Sequence, residues 1–281
     1  MMTTTAHPPA GASCLVGLLP ASGLALRIQP LPCSKEIYPI GFQKASVAAV
    51  PRVKTASEHL LAQMRRAGVR KAYVVVRRGK WDIPAYLGNG NSFGLDLAYL
   101  IMGKPFGVPF TLDQAFPFVE NATIVFGFPD ILIWPEDTYG MLLGKLEASK
   151  SDVVLGLYPT EDHRKVDMVR IDSQGRPQNI FIKPRHCDLR YAWLNAVWTP
   201  AFSRFMHDFV ARFEDSGRPL SADAEGRPGG AEQHLGHVLQ AAIKAGLCLS
   251  SVVFKRGRFI DIGTPDDLVH GSASLVLPME G

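Results

Sequence analysis

Residues 14–40 contain the chemistry best suited to holding phosphate. An apolar run from Cys14 to Leu19 stops at Pro20, and a loop of small residues follows: Ala21, Ser22, Gly23 and Ala25. Arg27 and Lys35 then stand eight residues apart. Small residues let backbone N–H groups approach an anion, and the two cations neutralise charge that the backbone cannot. Only Gly23 is a true glycine in this turn, and an ordinary strand-to-loop corner has the same composition, so both readings stand. Asp130 is a second candidate, because it closes the apolar run 122–128 through Gly127-Phe128-Pro129-Asp130. Ligands in open α/β sheets bind outside the carboxyl ends of strands. A carboxylate there suits Mg²⁺, which prefers hard oxygen ligands and keeps several waters. A cap on the following turn is the alternative role.

These residues need strands beneath them, and the chain supplies strand and helix signals in alternation. Thr55-Ala56-Ser57-Glu58 has the form of a capping box. It predicts a helix with Leu60, Leu61 and Met64 on one side, ending near Gly68, and the strand 72–76 follows at once. Strand, loop, helix, strand is a βαβ unit and implies a parallel sheet. The alternation resumes with the run 122–128, a helix over about 137–148 and the strand 152–158. Residues 166–183 read as a hairpin turning at Asp172-Ser173-Gln174-Gly175. A strand at 193–198 precedes a helix starting near Pro200. Residues 216–230 are rich in Gly, Pro and Ser and predict a mobile surface loop. A helix over about 231–245 and a last strand at 247–254 complete the expected domain, with no internal repeat.

Bulk composition narrows the class. The chain has 281 residues, 47% of them hydrophobic, enough for a large α/β domain. A net charge of +4 with 20% charged residues is too weak to argue for nucleic acid, but suits an anionic small molecule. The four cysteines are scattered without a C-x-x-C pair, so neither a disulfide framework nor a zinc site is expected, and a reducing cytoplasm fits. Cys33, although close to Lys35, reads as a small filler. Residues 1–12 lack the features of a secretory signal and read as a flexible arm ahead of a single domain spanning 13–281. No apolar run approaches the roughly 20 residues of a membrane helix. The histidines form no metal-binding spacing and read as ordinary surface or core residues.

The order of residues is more specific than the composition. Arg27-Ile28-Gln29-Pro30-Leu31 followed by Ser34-Lys35-Glu36-Ile37-Tyr38-Pro39-Ile40 resembles the N-terminal motif of the sugar-1-phosphate nucleotidyltransferases, G-G-x-G-T-R-L-x-P-L-T, then P-K-x-L-x-P-V. Ser22-Gly23 stands for the glycine pair, Ala25 for the third glycine and Leu26 for the threonine. Phe259-Ile260-Asp261-Ile262-Gly263-Thr264-Pro265 resembles the family's late W-x-D-x-G-T-P motif. Lys183-Pro184 resembles its E-K-P segment, with Ile182 where the family has a glutamate that contacts sugar hydroxyls. Gln114-Ala115-Phe116 resembles a helix start beside the nucleotide base, with Thr111 in place of a glycine and Met102 in place of a base-reading glutamine. The motifs run in the family's order from about Val16 to Leu268.

The resemblance implies a Rossmann-like (GT-A-like) mostly parallel sheet flanked by helices, with a small β-rich sugar-binding lobe. It implies an NTP and a sugar 1-phosphate as substrates, an NDP-sugar and pyrophosphate as products, Mg²⁺ as cofactor, and a possible homo-oligomer. By residue, it places Arg27 on the leaving pyrophosphate and Lys35 at the α-phosphate. Ala21, Ser22, Gly23 and Gln114 fall on the nucleotide, Lys183 on the sugar phosphate, and Asp130 with Asp261 on the metal. Asn195 and Trp193 are placed to line the sugar pocket, although packing is an equal reading for Trp193. Asp266 and Asp267 read as first-turn helix residues. A non-catalytic relative that binds a nucleotide for regulation is the alternative that Leu26 raises. A GT-A glycosyltransferase would need a D-x-D motif in a suitable context, which the chain lacks.

Overall fold

The computed structural model describes residues 14–43, 52–102, 106–215 and 232–269. The expected N-terminal arm (1–12) and the expected loop at 216–230 lie outside them. In the interior of a nine-stranded sheet runs β1 (Leu15–Ala21), parallel to β4 (Lys71–Arg77) on one side and to β6 (Thr123–Gly127) on the other. Beyond β4 lies β5 (Asp96–Met102), also parallel. Beyond β6, β11 (Tyr191–Trp198) runs antiparallel to both β6 and β8 (Val153–Pro159), and β12 (Leu249–Val253) is parallel to β8. The hairpin of β9 (Met168–Ile171) and β10 (Pro177–Phe181) joins β11 at Ala192. It forms a small β-rich extension of the sheet.

Strands covered on both faces must be apolar throughout, and β1 and β8 are almost wholly buried. One face carries α1 (Ala56–Arg66) and α5 (Thr138–Ser149), which pack Leu60, Leu61, Met64 and Leu142 against Leu19, Val74 and Val76. The other face carries α3 (Val108–Asp113), α6 (Pro200–Asp215) and α7 (Leu235–Lys244). Their Leu112, Phe202 and Val238 meet Val16, Leu18 and Val75. The predicted entry to α1 is present: Glu58 Oε2 accepts the Thr55 backbone N–H at 2.7 Å. The hairpin turn is held by Asp172, whose Oδ1 accepts the N–H groups of Gln174 and Arg176, both at 2.9 Å.

Four features escape the sequence reading. β5 is a half-exposed edge strand without clean alternation. A short antiparallel pair of β2 (Pro39–Gln43) and β3 (Arg52–Thr55) sits between β1 and α1. A short helix α2 (Asp82–Leu87) follows β4, and α4 (Phe116–Val119) follows α3. Most consequential is the pairing of β7 (Ile131–Trp134) with β13 (Arg258–Asp261), strands of four residues each. The strand at 247–254 therefore does not end the fold.

Candidate functional site

The loops that leave the carboxyl ends of β1 and β6 surround a cavity of about 570 Å³. Its walls include Ser22, Gly23, Arg27 and Lys35 from the first loop, Asp130 from the second, and Asp261 from β13. The β7–β13 pair accounts for the meeting of the two aspartates. Asp261 stands opposite Ile131, and the Ile262 N–H donates to the Asp130 carbonyl at 3.2 Å. Gly263 leaves room for Arg27, since a Cβ there would stand 3.0 Å from Asp261 Oδ1 and 3.2 Å from Arg27 Nη2.

The phosphate loop keeps a glycine's backbone without the glycine. Ala25, matched in sequence to the third glycine of the motif, has φ +54°, a left-handed conformation costly for a residue with a Cβ. Its carbonyl accepts the Ile28 N–H at 3.2 Å, closing the turn that delivers Arg27. Gly23 has nothing within 4 Å of an added Cβ, so its backbone faces open space. At the base of the loop the Ser22 and Thr111 hydroxyls lie 2.8 Å apart, and Thr111 Oγ1 lies 3.3 Å from Met102 Sδ.

Lys35 is held from both sides in sequence. Ser34 donates its N–H to Asp82 Oδ2 at 2.6 Å and its hydroxyl to Asp82 Oδ1 at 2.9 Å. Glu36, 2% exposed, accepts from Lys80 Nζ at 2.6 Å in a buried ion pair. Lys35 itself pairs with Asp130. Burial disfavours the Lys35 charge, but Asp130, with Glu36 and Asp261, outweighs it and lifts the ammonium pKa. Burial likewise works against the Asp130 charge, and Lys35 reverses it, holding the carboxylate below its usual range. At Asp261 burial, then the charge of Asp130, outweigh the pull of Lys35 and Arg27 and push it up to about 6.

Two facing carboxylates, one of them destabilised by the other, suit a divalent cation whose remaining ligands are water and phosphate. Among the described residues no cluster of three or more His, Cys, Asp or Glu side chains could hold a metal alone. That donor set fits Mg²⁺ bound together with a substrate phosphate rather than in an all-protein cage.

The opposite end of the cavity is lined by Asp167, Lys183, Trp193 and His234. Lys183 lines it from a left-handed backbone at φ +39°. Asp167 and His234 are absent from the sequence reading. A lone Asp before a strand and a lone His before a helix carry no spacing signal, and only the fold brings them to the cavity. Lys165 also reaches it, paired with Asp267 at 2.8 Å. Asp267 lies in the helical turn 265–269, where it also accepts the Thr264 hydroxyl at 2.6 Å, in the expected role of a first-turn residue. Burial raises the Cys33 thiol pKa, which suits a filler rather than a nucleophile.

Three candidates lie off the cavity walls. Ala21 is buried as the last residue of β1, beneath the loop. Gln114 ends α3, and its Nε2 lies 3.4 Å from the Phe110 carbonyl, a bond within its own helix. Asn195 is sealed in the sheet on β11, donating to Thr138 Oγ1 at 3.3 Å, against Gly156, where any Cβ would collide with its Oδ1. The three contribute packing and scaffold contacts, while Trp193, two residues before Asn195, does line the cavity.

No protein-family model matches the chain. Curated relatives do. The low-salt glycan biosynthesis nucleotidyltransferase Agl11 of Haloferax volcanii is 20% identical over 91% of this chain and 64% of its own length. A glucose-1-phosphate thymidylyltransferase of Streptomyces antibioticus is 23% identical over 94% of this chain and 67% of its own. The chain is related to the sugar nucleotidyltransferases. It spans about two thirds of the length of these two relatives. Among solved structures, UDP-glucose pyrophosphorylase complexed with UDP-glucose superposes with a TM-score of 0.70 at 14% identity, covering 93% of this chain and 98% of that one. The inositol-1-phosphate CTP transferase of T. maritima superposes at 0.66 with 18% identity, covering 96% and 99%. A Bacillus anthracis protein assigned as a glucose-1-phosphate thymidylyltransferase reaches 0.75 at 18% identity, covering 95% and 98%. The expected fold class is therefore the observed one: a mixed α/β sheet, mostly parallel, flanked by helices.

Proposed function

We propose that this chain transfers a nucleotidyl group from an NTP to a sugar 1-phosphate, releasing pyrophosphate, through a single domain from residue 13 onward. The observation that carries this reading is the convergence of Arg27, Lys35, Asp130, Asp261 and Lys183, distant in sequence, on one cavity. A phosphate oxygen of the sugar 1-phosphate attacks the α-phosphorus in line. The new P–O bond forms as the bond to the β-phosphate oxygen breaks and pyrophosphate leaves. The attacking oxygen is already anionic, so no general base is required. The protein contributes position and charge.

Arg27, exposed at the mouth of the cavity, is placed for the leaving pyrophosphate. Lys35, gripped through Ser34 and Glu36, is placed for the α-phosphate. Lys183 takes the sugar phosphate. Asp130 and Asp261 would hold Mg²⁺, whose chemistry there is neutralisation of the triphosphate. Lys35, paired with Asp130 in the free protein, would turn to the substrate phosphate when Asp130 takes the metal. The four cysteines are free thiols, which supports a reducing, cytoplasmic setting.

A second reading, a nucleotide-binding regulator without turnover, draws on Leu26. Its side chain is 54% exposed at the cavity, where the motif has a hydroxyl. A pyrophosphate-release screen separates the two. Five NTPs are crossed with glucose, galactose and mannose 1-phosphates in Mg²⁺. Release that requires both substrates is expected. Nucleotide binding with no release from any pair overturns the transferase reading in favour of the regulator.

A further inference from the structure

At the Lys183 end of the cavity the structure leaves polar atoms without partners. Asp167, directly before β9, is 9% exposed and lines the cavity, yet its Oδ1 has no hydrogen-bond partner among the described residues. The indole N–H of Trp193, a buried side chain on the same wall, is also unpartnered. Burial pushes the Asp167 carboxyl up to about 6 against the pull of the Lys183 charge, the Lys183 backbone N–H and the Trp193 indole, which lies near the carboxylate but outside hydrogen-bond geometry. Orphaned buried polar groups are rare, and a ligand is one of the ways they are satisfied.

The local backbone is shaped to keep this carboxylate in place. Gly236 lies in the first turn of α7, where a glycine costs about 1 kcal/mol relative to alanine. A Cβ there would stand 2.4 Å from Asp167 Oδ2 and 2.5 Å from Ile182 Cδ1. The absence of a side chain at Gly236 is what admits the carboxylate beside Ile182. An acceptor next to a donor is the complement of an alcohol, which both donates and accepts. An ammonium only donates, and would leave the indole N–H unmet.

We propose that Asp167 and Trp193 form the sugar-recognition pair of this site, the carboxylate accepting a hydrogen bond from a sugar hydroxyl and the indole N–H donating one to a sugar oxygen. Rotation about Asp167 χ2, a soft torsion, offers either carboxylate oxygen to the ligand. The sugar-facing carboxylate then comes from the residue directly before β9, the first strand of the hairpin, while the position before Lys183 is the apolar Ile182. This assignment rests on the transferase reading for its ligand class, a sugar 1-phosphate.

The test titrates the full chain in Mg²⁺ with inorganic phosphate and with glucose, galactose and mannose 1-phosphates, alongside the release assay. Wild type is expected to bind the best sugar 1-phosphate more tightly than phosphate. Asp167→Asn should cut that preference by about 10- to 100-fold, the cost of losing a hydrogen bond to a charged group. Phosphate affinity should hold or rise, because the negative charge beside Lys183 is removed, and the KM for NTP should not change. Trp193→Phe, which keeps the ring, should cut the preference by roughly a further-reduced factor of 3 to 10. Against the matching monodeoxy sugar 1-phosphate, wild type and Asp167→Asn should bind alike.

An unchanged preference in Asp167→Asn overturns the assignment, as does an equal loss of phosphate and sugar 1-phosphate, which would mark a structural role. A wild type that prefers none of the three sugars over phosphate overturns it too. If Asp167→Asn does not fold, Trp193→Phe decides by the same criteria. Release with an unaffected preference sinks this assignment alone. A preference lost in Asp167→Asn without any release in wild type keeps the subsite and removes the transferase reading.

Discussion

The two ends of the cavity solve the same problem differently. At the β1-loop end buried charges lie in pairs of opposite sign, Lys35 with Asp130 and Lys80 with Glu36, and Asp82 takes the two hydrogen bonds of Ser34. At the Lys183 end a carboxylate oxygen and an indole N–H are buried without one. Phosphate is a diffuse, highly charged ligand, and a site for it can be held in a neutralised form that exchanges partners on binding. A sugar hydroxyl is neutral, and its recognition depends on groups left unmet until it arrives. On the proposed function, the difference separates a phosphate-binding region from a sugar-recognising one.

The comparison can be broken most severely at Lys35. Lys35→Ala should lower kcat for pyrophosphate release on the order of 10²- to 10³-fold, the scale of losing a donor to developing charge. Near-normal turnover would remove Lys35 from the chemistry. The buried pair behind it is the next target. Lys80→Met leaves Glu36 without its cation and should cost about 3–5 kcal/mol of stability in a denaturant titration. The double variant Lys80→Met/Glu36→Gln should recover part of that loss, because the uncompensated charge is gone.

The Lys183 end predicts a pH signature. An Asp whose folded pKa is raised from 3.8 to about 6 favours the folded state below pH 4 and loses that contribution as pH rises through 6. Asp167→Asn removes the penalty of ionisation. It should therefore raise stability relative to wild type by about 1–3 kcal/mol at pH 7.5 and by little at pH 4. An equal shift at both pH values would show that Asp167 does not titrate in this range. The smallest effect belongs to the phosphate loop. Ala25→Gly relieves a left-handed backbone and should be neutral, or stabilising by up to about 1 kcal/mol in thermal unfolding. A loss larger than 1 kcal/mol would mean that the Ala25 methyl packs.

Legibility in the sequence followed the range of the interactions. The capping box at Thr55 and the turn at Asp172 are local, and each stands where its residues indicate. The apolar runs of β1, β6 and β8 are legible because strands covered on both faces need apolar residues throughout. Short strands carry too few residues to establish a period, and so β7 and β13 went unseen, although their pairing brings Asp261 to Asp130. Asn195 and Gln114, singled out beside motifs, stand in the structure off the cavity walls, bonded to Thr138 and to the Phe110 carbonyl.

By itself, then, the amino-acid order determined the parallel α/β frame, the small-residue, two-cation character of the β1 loop and the candidacy of Arg27, Lys35, Asp130, Lys183 and Asp261. Each of these depends on residue type and near neighbours. Only the tertiary structure decided that Lys80 and Asp82 brace Lys35, that Arg27 lies against Asp261, and that Asp167, Trp193 and His234 share a wall with Lys183. Those facts depend on register and on the crossing of elements far apart in the chain. No local spacing encodes them, because burial and pairing across the sheet are properties of the whole fold.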